Sequence, residues 1–184
     1  ITDEMLTLWQ QIQAAVPGSR LLCKAEAYHD DALTDRAYER FAAMGFDMER
    51  VIFEPSSDDY MERYLSVDIA LDTYPYVGGG TTCDALYMGV PVVSRYGAGH
   101  GSRFGLSVLT AAGLGELAVP DGAAYVARAI ALATDTELLD ALHRNLRTML
   151  FASPLMDTQR YVREMEENYT AIWQAYETQN GGRP

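Results

Sequence analysis

Two hydrophobic periods alternate along the chain. Met5, Leu8, Trp9, Ile12 and Val16 recur at helical spacing behind the start signal Thr2-Asp3-Glu4, and Pro17-Gly18-Ser19 ends that helix. Short apolar runs at 20–25 (RLLCKA), 51–53 (VIF), 67–71 (VDIAL), 91–94 (PVVS) and 118–119 read as strands. Helical segments lie between them. One covers 31–45, with Ala32, Tyr38, Phe41 and Met44 inside; one is capped by Ser57-Asp58-Asp59 and ends near Leu65; two more cover 81–88, stopped by Gly89, and 102–112. Helices over 122–133, 136–151 and 156–178 close the chain, and 179–184 reads as a frayed tail. Strands separated by helices predict an α/β domain: a Rossmann-like, three-layer fold on a parallel sheet of right-handed βαβ units. Such sheets bind ligands at the carboxyl ends of their strands, which directs attention to the loops after Lys24, Phe53, Leu71 and Val93.

The loop after Leu71 opens the most informative segment, 68–93 (DIALDTYPYVGGGTTCDALYMGVPVV). Gly78, Gly79 and Gly80 let the backbone approach a ligand with no Cβ in the way. They lead into a helix start, where free N–H groups and the helix dipole attract an anion such as a pyrophosphate. The hydroxyls of Thr81 and Thr82 add donors. Asp84 lies one turn in, and a carboxylate accepts two hydrogen bonds side by side, which suits the two hydroxyls of a ribose. The plainer reading stands beside this one: Thr81-x-x-Asp84 is also a helix-capping pattern, and a glycine run is also a loop. The segment matches neither Gly-x-Gly-x-x-Gly nor the Walker pattern with its Lys, so neither a nicotinamide site nor an ATPase follows.

Composition narrows the function classes. The 184 residues suit one domain, 48% hydrophobic and 22% charged. A net charge of −12 argues against a general nucleic-acid binder, which needs a basic face. No apolar run approaches the ~20 residues of a membrane span, and 1–20 has no signal-peptide pattern. Cys23 and Cys83 lack metal spacing and read as reduced core thiols of a cytoplasmic protein. His29, His100 and His143 are scattered and form no ligand pair, and no Asp-x-Asp motif implies a metal. The start at Ile1, without Met, suggests a piece of something longer.

The string Asp68-Ile-Ala-Leu-Asp72-Thr73, with Pro75-Tyr76, Gly78 through Thr82, Asp84-Ala-Leu and Gly89-Val-Pro91-Val-Val93, resembles a signature of family 41 glycosyltransferases. This is the O-linked N-acetylglucosamine transferase family, and the likeness is to its bacterial type. His100-Gly-Ser-Arg103-Phe-Gly-Leu-Ser107 with Leu114-Gly-Glu-Leu resembles the family's next block. Ala152-Ser-Pro-Leu155, with Tyr161 and 164–173, resembles its closing helix, so the likeness runs from about Ile1 to Tyr176.

The resemblance implies the C-terminal half of a two-lobed GT-B enzyme: a nucleotide-sugar lobe over 1–152, a closing helix over 153–178 and a tail over 179–184, with the other lobe upstream. It implies a UDP-sugar donor, UDP-GlcNAc or UDP-glucose, a protein acceptor, and helical repeats ahead of the catalytic lobes. By similarity, Gly78, Gly79, Gly80 and Thr81 surround the diphosphate and Asp84 holds the ribose. Tyr60 sits where many members carry a His beside the uracil, Ser57 near a Lys of animal members, and Gly79 in place of their His. Lys24, His100 and Arg103 are candidates to line the cleft, whereas Arg63 reads as a solvated helix residue. The family's proposed basic groups and a Gln-x-x-Lys segment belong upstream, so no catalytic residue is assigned. Two rival readings stay open: a non-catalytic nucleotide-binding or interaction module in a repeat-containing scaffold, and an N-glucosyltransferase of the same family.

Overall fold

A computed structural model describes residues 1–181. Helix α1 (Asp3–Ala15) starts where the Thr2 side chain accepts from the Met5 N–H. Then come β1 (Leu21–Lys24), α2 (Asp31–Ala43), β2 (Val51–Glu54), α3 (Tyr60–Arg63), β3 (Ala70–Leu71) and α4 (Gly80–Tyr87). The chain continues through β4 (Val92–Arg95), α5 (Phe104–Ala111), β5 (Ala118–Val119), α6 (Gly122–Thr134), α7 (Thr136–Phe151) and α8 (Thr158–Asn180).

Every strand pairing is parallel, as expected of βαβ units. The ladders divide into two groups, β1–β2 and β3–β4–β5. Strand β4 is central in the second, and Val92, Val93 and Ser94 are buried on both faces. α1 and α6 pack together, α4 lies on α7, and α5 covers β4 and β5. In the first group Phe41 of α2 meets Phe53 of β2 edge-on, with ring centroids 5.0 Å apart. One continuous apolar cluster, from Met5 and Trp9 through Phe41, Leu86 and Val93 to Leu150, joins both groups. Burial pushes the Cys23 thiol up to about 12, so it behaves as a core side chain. The fold is therefore a Rossmann-like α/β domain.

Some boundaries differ from the expectation. Only Ala70 and Leu71 of the 67–71 run pair with β4, because the chain is still leaving a 3₁₀ turn at Tyr64–Ser66. α3 is a single turn, and Asp59 at its N-cap makes no side-chain bond. α5 begins at Phe104, after a 3₁₀ turn over His100–Ser102. α8 runs on to Asn180 and is closed by Gly181 in the left-handed conformation (φ 61°), so the expected tail is helical at 179 and 180. The rest of that tail call, 182–184, lies outside the described residues. α8 buries none of its side chains, and Tyr161, Tyr169, Ile172, Trp173 and Tyr176 are all exposed.

Candidate functional site

The carboxyl ends of β3 and β4 are held by Asp72. Its Oδ1 accepts the N–H of Thr73 at 2.9 Å and of Gly78 at 2.7 Å, and its Oδ2 accepts the Ser94 hydroxyl at 2.6 Å. Burial pushes the Asp72 carboxyl above the ordinary carboxylate range, outweighing the opposing effect of those bonds. The backbone takes part too: Trp9 Nε1–H donates to the Tyr125 hydroxyl at 3.1 Å, which donates to the Asp72 carbonyl at 2.8 Å. α1, α6 and β3 thus share one buried polar chain. Gly105 brings α5 down on this point, where an added Cβ would lie 2.8 Å from Ser94 Cβ and 3.0 Å from Asp72 Oδ2.

From that anchor the chain loops through the cis Tyr74–Pro75 bond to the glycine run. A Cβ on Gly78 would lie 2.6 Å from Thr81 Oγ1 and 2.8 Å from Thr82 Oγ1, so this position is closed to larger residues. Gly79 and Gly80 meet nothing within 4 Å, and neither has a positive φ. Their missing side chains answer no demand of the fold itself. Thr82 is buried beneath the loop and Thr81 is exposed above it. A cavity of about 300 Å³ lies against this loop, lined among others by Tyr64, Asp72, Tyr76, Gly78, Thr81 and Thr82.

The capping alternative for Thr81 and Asp84 does not hold. Gly79 is the N-cap of α4, no side chain caps the helix, and Thr81 already lies inside it. The first ladder bond runs from the Cys83 N–H to the Gly79 carbonyl at 3.1 Å, so the N–H groups of Gly80, Thr81 and Thr82 stand ahead of the ladder. By contrast Thr2, Asp30, Asp121, Asp135 and Asp157 cap α1, α2, α6, α7 and α8 with their side chains. α5, at the end of β4, is the other eight-residue helix without a side-chain cap, and Arg103 is its N-cap residue. Both lie after the carboxyl ends of strands, where an anion would meet the positive end of a helix dipole.

Tyr60 and Asp84 meet across the site. The Tyr60 hydroxyl donates to Asp84 Oδ2 at 3.2 Å, and the carboxylate holds the phenol above its ordinary range. Arg63 is no freely solvated residue. Its guanidinium grips Glu54 at the end of β2 with two bonds of 2.8 and 2.7 Å, which holds the Glu54 carboxyl below its usual range. Lys24 stands apart from the glycine loop. Its ammonium donates to the Pro55 carbonyl at 2.7 Å, and with Glu54, Ser57, Asp59, Glu62, Arg63 and Ser66 it lines a separate hollow of about 460 Å³. His100 and Arg103 are exposed at the start of α5, with the His100 ring edge-on to Phe104 at 5.0 Å.

Residues 1–165 match the model of glycosyl transferase family 41. The chain belongs to that family. Among its relatives, a probable UDP-N-acetylglucosamine–peptide N-acetylglucosaminyltransferase SPINDLY of Hordeum vulgare is 36% identical over 96% of this chain and 19% of its own. A probable enzyme of the same description, SEC of Arabidopsis thaliana, is 31% identical over 92% of this chain and 17% of its own. A solved structure of a mutant Thermobaculum terrenum O-GlcNAc transferase superposes with a TM-score of 0.89 at 33% identity, over 95% of this chain and 34% of that one. The chain thus spans about a fifth of the length of these curated relatives.

Within this family 41 domain Tyr60 meets Asp84, one turn into the helix that the glycine run and Thr81 open, while Lys24 lines a separate hollow. The sequence reading missed Asp72, Ser94, Tyr125 and Gly105 as the framework that pins the loop, and Arg63 with Glu54 as the clamp on α3. No local motif marks the first four, because they meet only through the parallel ladder and across 53 residues between Asp72 and Tyr125. The nine-residue spacing of Glu54 and Arg63 spans a strand end and a helix. Only knowing that both elements turn at one edge would have paired them.

Proposed function

We propose that this chain is the nucleotide-sugar-binding lobe of an enzyme that transfers N-acetylglucosamine from UDP-GlcNAc to protein side chains. The observation that carries the proposal is the uncapped start of α4, fronted by two glycines with open space above them and followed one turn later by Asp84. The free N–H groups of Gly80, Thr81 and Thr82 donate to the diphosphate and stabilise the charge that develops on it as the sugar leaves. Asp84 takes the ribose hydroxyls, and the Tyr60 ring, 41% exposed, offers a face for the uracil. His100 and Arg103 place a second uncapped helix start and a cation at the same sheet edge. The printed names of the relatives support the donor and the protein acceptor.

The acceptor site and the groups that activate the acceptor belong to a second lobe. The exposed apolar side chains of α8 and the 34% coverage of the solved relative support such a partner. No helix of the described residues is long and apolar enough to cross a membrane.

Titrating the chain with UDP to several millimolar, and following backbone amides by NMR, tests the reading. The expected outcome is shifts clustered at 78–82, weakened by Asp84→Ala and weaker still with GDP. A dissociation constant near 1 mM corresponds to about −4 kcal/mol, which this method detects. Sugar transfer by the chain alone would refute its role as one lobe, and UDP shifts that avoid 78–84 would refute the site.

A further inference from the structure

The carboxylate assigned to the ribose is hydrogen-bonded within the protein. Asp84 has one side-chain partner among the described residues, the Tyr60 hydroxyl, donating to Oδ2 at 3.2 Å. Tyr60 comes from α3, 24 residues earlier. α3 is a single turn without a side-chain cap, too short to hold itself in place. What holds it is Arg63, three residues on, through its two bonds to Glu54 at the end of β2. A line of contacts therefore runs from β2 through Glu54, Arg63 and Tyr60 to Asp84 on α4. Neither Tyr60 nor Asp84 is buried, so the bond is not a by-product of core packing.

A carboxylate offers about four lone-pair directions. Tyr60 occupies one of them on Oδ2. Oδ1 and the remaining direction on Oδ2 suffice for two neighbouring hydroxyls. The phenol thus biases the orientation of the carboxylate without using up what a ribose needs.

We propose that Tyr60 is a positioning residue for ribose recognition: its hydroxyl, clamped through Arg63 and Glu54, pre-orients the Asp84 carboxylate toward the 2′- and 3′-hydroxyls of the nucleotide. This rests on the reading of Asp84 as the ribose contact. It assigns the Tyr60 hydroxyl a task separate from any stacking of its ring on the base.

Tyr60→Phe separates the two tasks, since it keeps the ring and removes only an exposed hydroxyl. The probes are UDP and 2′,3′-dideoxyuridine 5′-diphosphate, with dissociation constants read from amide titrations of the parent, Tyr60→Phe and Asp84→Ala. The parent is expected to prefer UDP. Tyr60→Phe is expected to weaken UDP roughly three- to tenfold, the effect of leaving one side chain to be immobilised on binding, and to leave the dideoxy compound unchanged. Equal or tighter UDP binding by Tyr60→Phe would overturn the proposal, with tighter binding showing that the phenol competes with the ribose. Equal weakening of both compounds would also overturn it, by placing the effect on the base. If the parent shows no preference for UDP, or Asp84→Ala keeps it, the ribose reading itself fails and the proposal with it.

Discussion

Asp72→Ala removes one side chain and leaves three donors without their acceptor: the N–H groups of Thr73 and Gly78 and the hydroxyl of Ser94. Ser94 is fully buried, so no solvent replaces its partner. Thr73 and Gly78 are half-buried, and water recovers part of their loss. A buried donor left unpaired costs about 1–3 kcal/mol, so the three together are expected to cost about 3–5 kcal/mol. That is a large share of a domain's usual stability of about 5–15 kcal/mol. Asp72→Asn is the informative companion. Its Oδ1 still accepts both N–H groups, and the Ser94 hydroxyl can turn to accept from the amide, so its stability is expected within about 1 kcal/mol of the parent at neutral pH.

The pH dependence follows from the sign of the Asp72 shift. Burial raises its folded-state pKa above the unfolded value, so the folded chain binds the extra proton between the two. The resulting stability is fully present below the unfolded value and is lost as pH rises through the folded one. The parent's stability minus that of Asp72→Asn should therefore fall as pH rises from the acid side toward neutrality. Urea unfolding at several pH values measures both effects. Asp72→Ala within about 1 kcal/mol of the parent would refute the anchoring role. A parent-minus-Asn difference that grows with pH would refute burial as the dominant influence on this carboxyl.

Three further substitutions separate a glycine that the packing requires from two that the proposed ligand contact requires. Gly105→Ala drives a Cβ against Ser94 and Asp72 and should cost about 1–3 kcal/mol by thermal or urea melting; an unchanged melting point would show that α5 is free to retreat. Gly79→Ala and Gly80→Ala add a methyl to open space and should leave stability within about 0.5 kcal/mol while weakening UDP in the amide titration; a large loss of stability, or unaltered UDP binding, would count against a ligand passing over these two positions.

How much of this was legible in advance depended on whether the physics was local. Local pattern located the strands and α-helices, since each must present its apolar face whatever its neighbours are, but not the 3₁₀ turns at Glu26–His29 and Met48–Arg50. The glycine run and Gly89 were equally local: Gly89 has φ 83°, a conformation that glycine adopts readily. Ends set by partners were not readable. β3 keeps two paired residues because the chain before it is still leaving the 3₁₀ turn at Tyr64–Ser66, and the loop after it is pinned by Asp72 through Ser94, 22 positions later. The capping reading of Thr81 failed for a related reason. A capping box requires the Thr to stand outside the helix, and the glycines before it let the helix begin one residue sooner. Arg63 looked solvated because its partner sits on another element.

The distribution of caps ties fold to function. Five helices satisfy their first N–H groups with a Thr or Asp side chain, a device worth about 0.5–2 kcal/mol at each helix. α4 and α5 forgo it, although they follow β3 and β4 and pack on the core. A fold selected for stability alone has no reason to omit its caps at one edge of the sheet. A ligand that supplies negative charge there removes the need for them, because its oxygens take the N–H groups that a side chain would otherwise occupy. The same logic explains why the support beneath the edge is so fully bonded. Asp72, Ser94, Tyr125 and Gly105 hold the loop from below, and the donors above it stay unspent, as the proposed diphosphate contact requires.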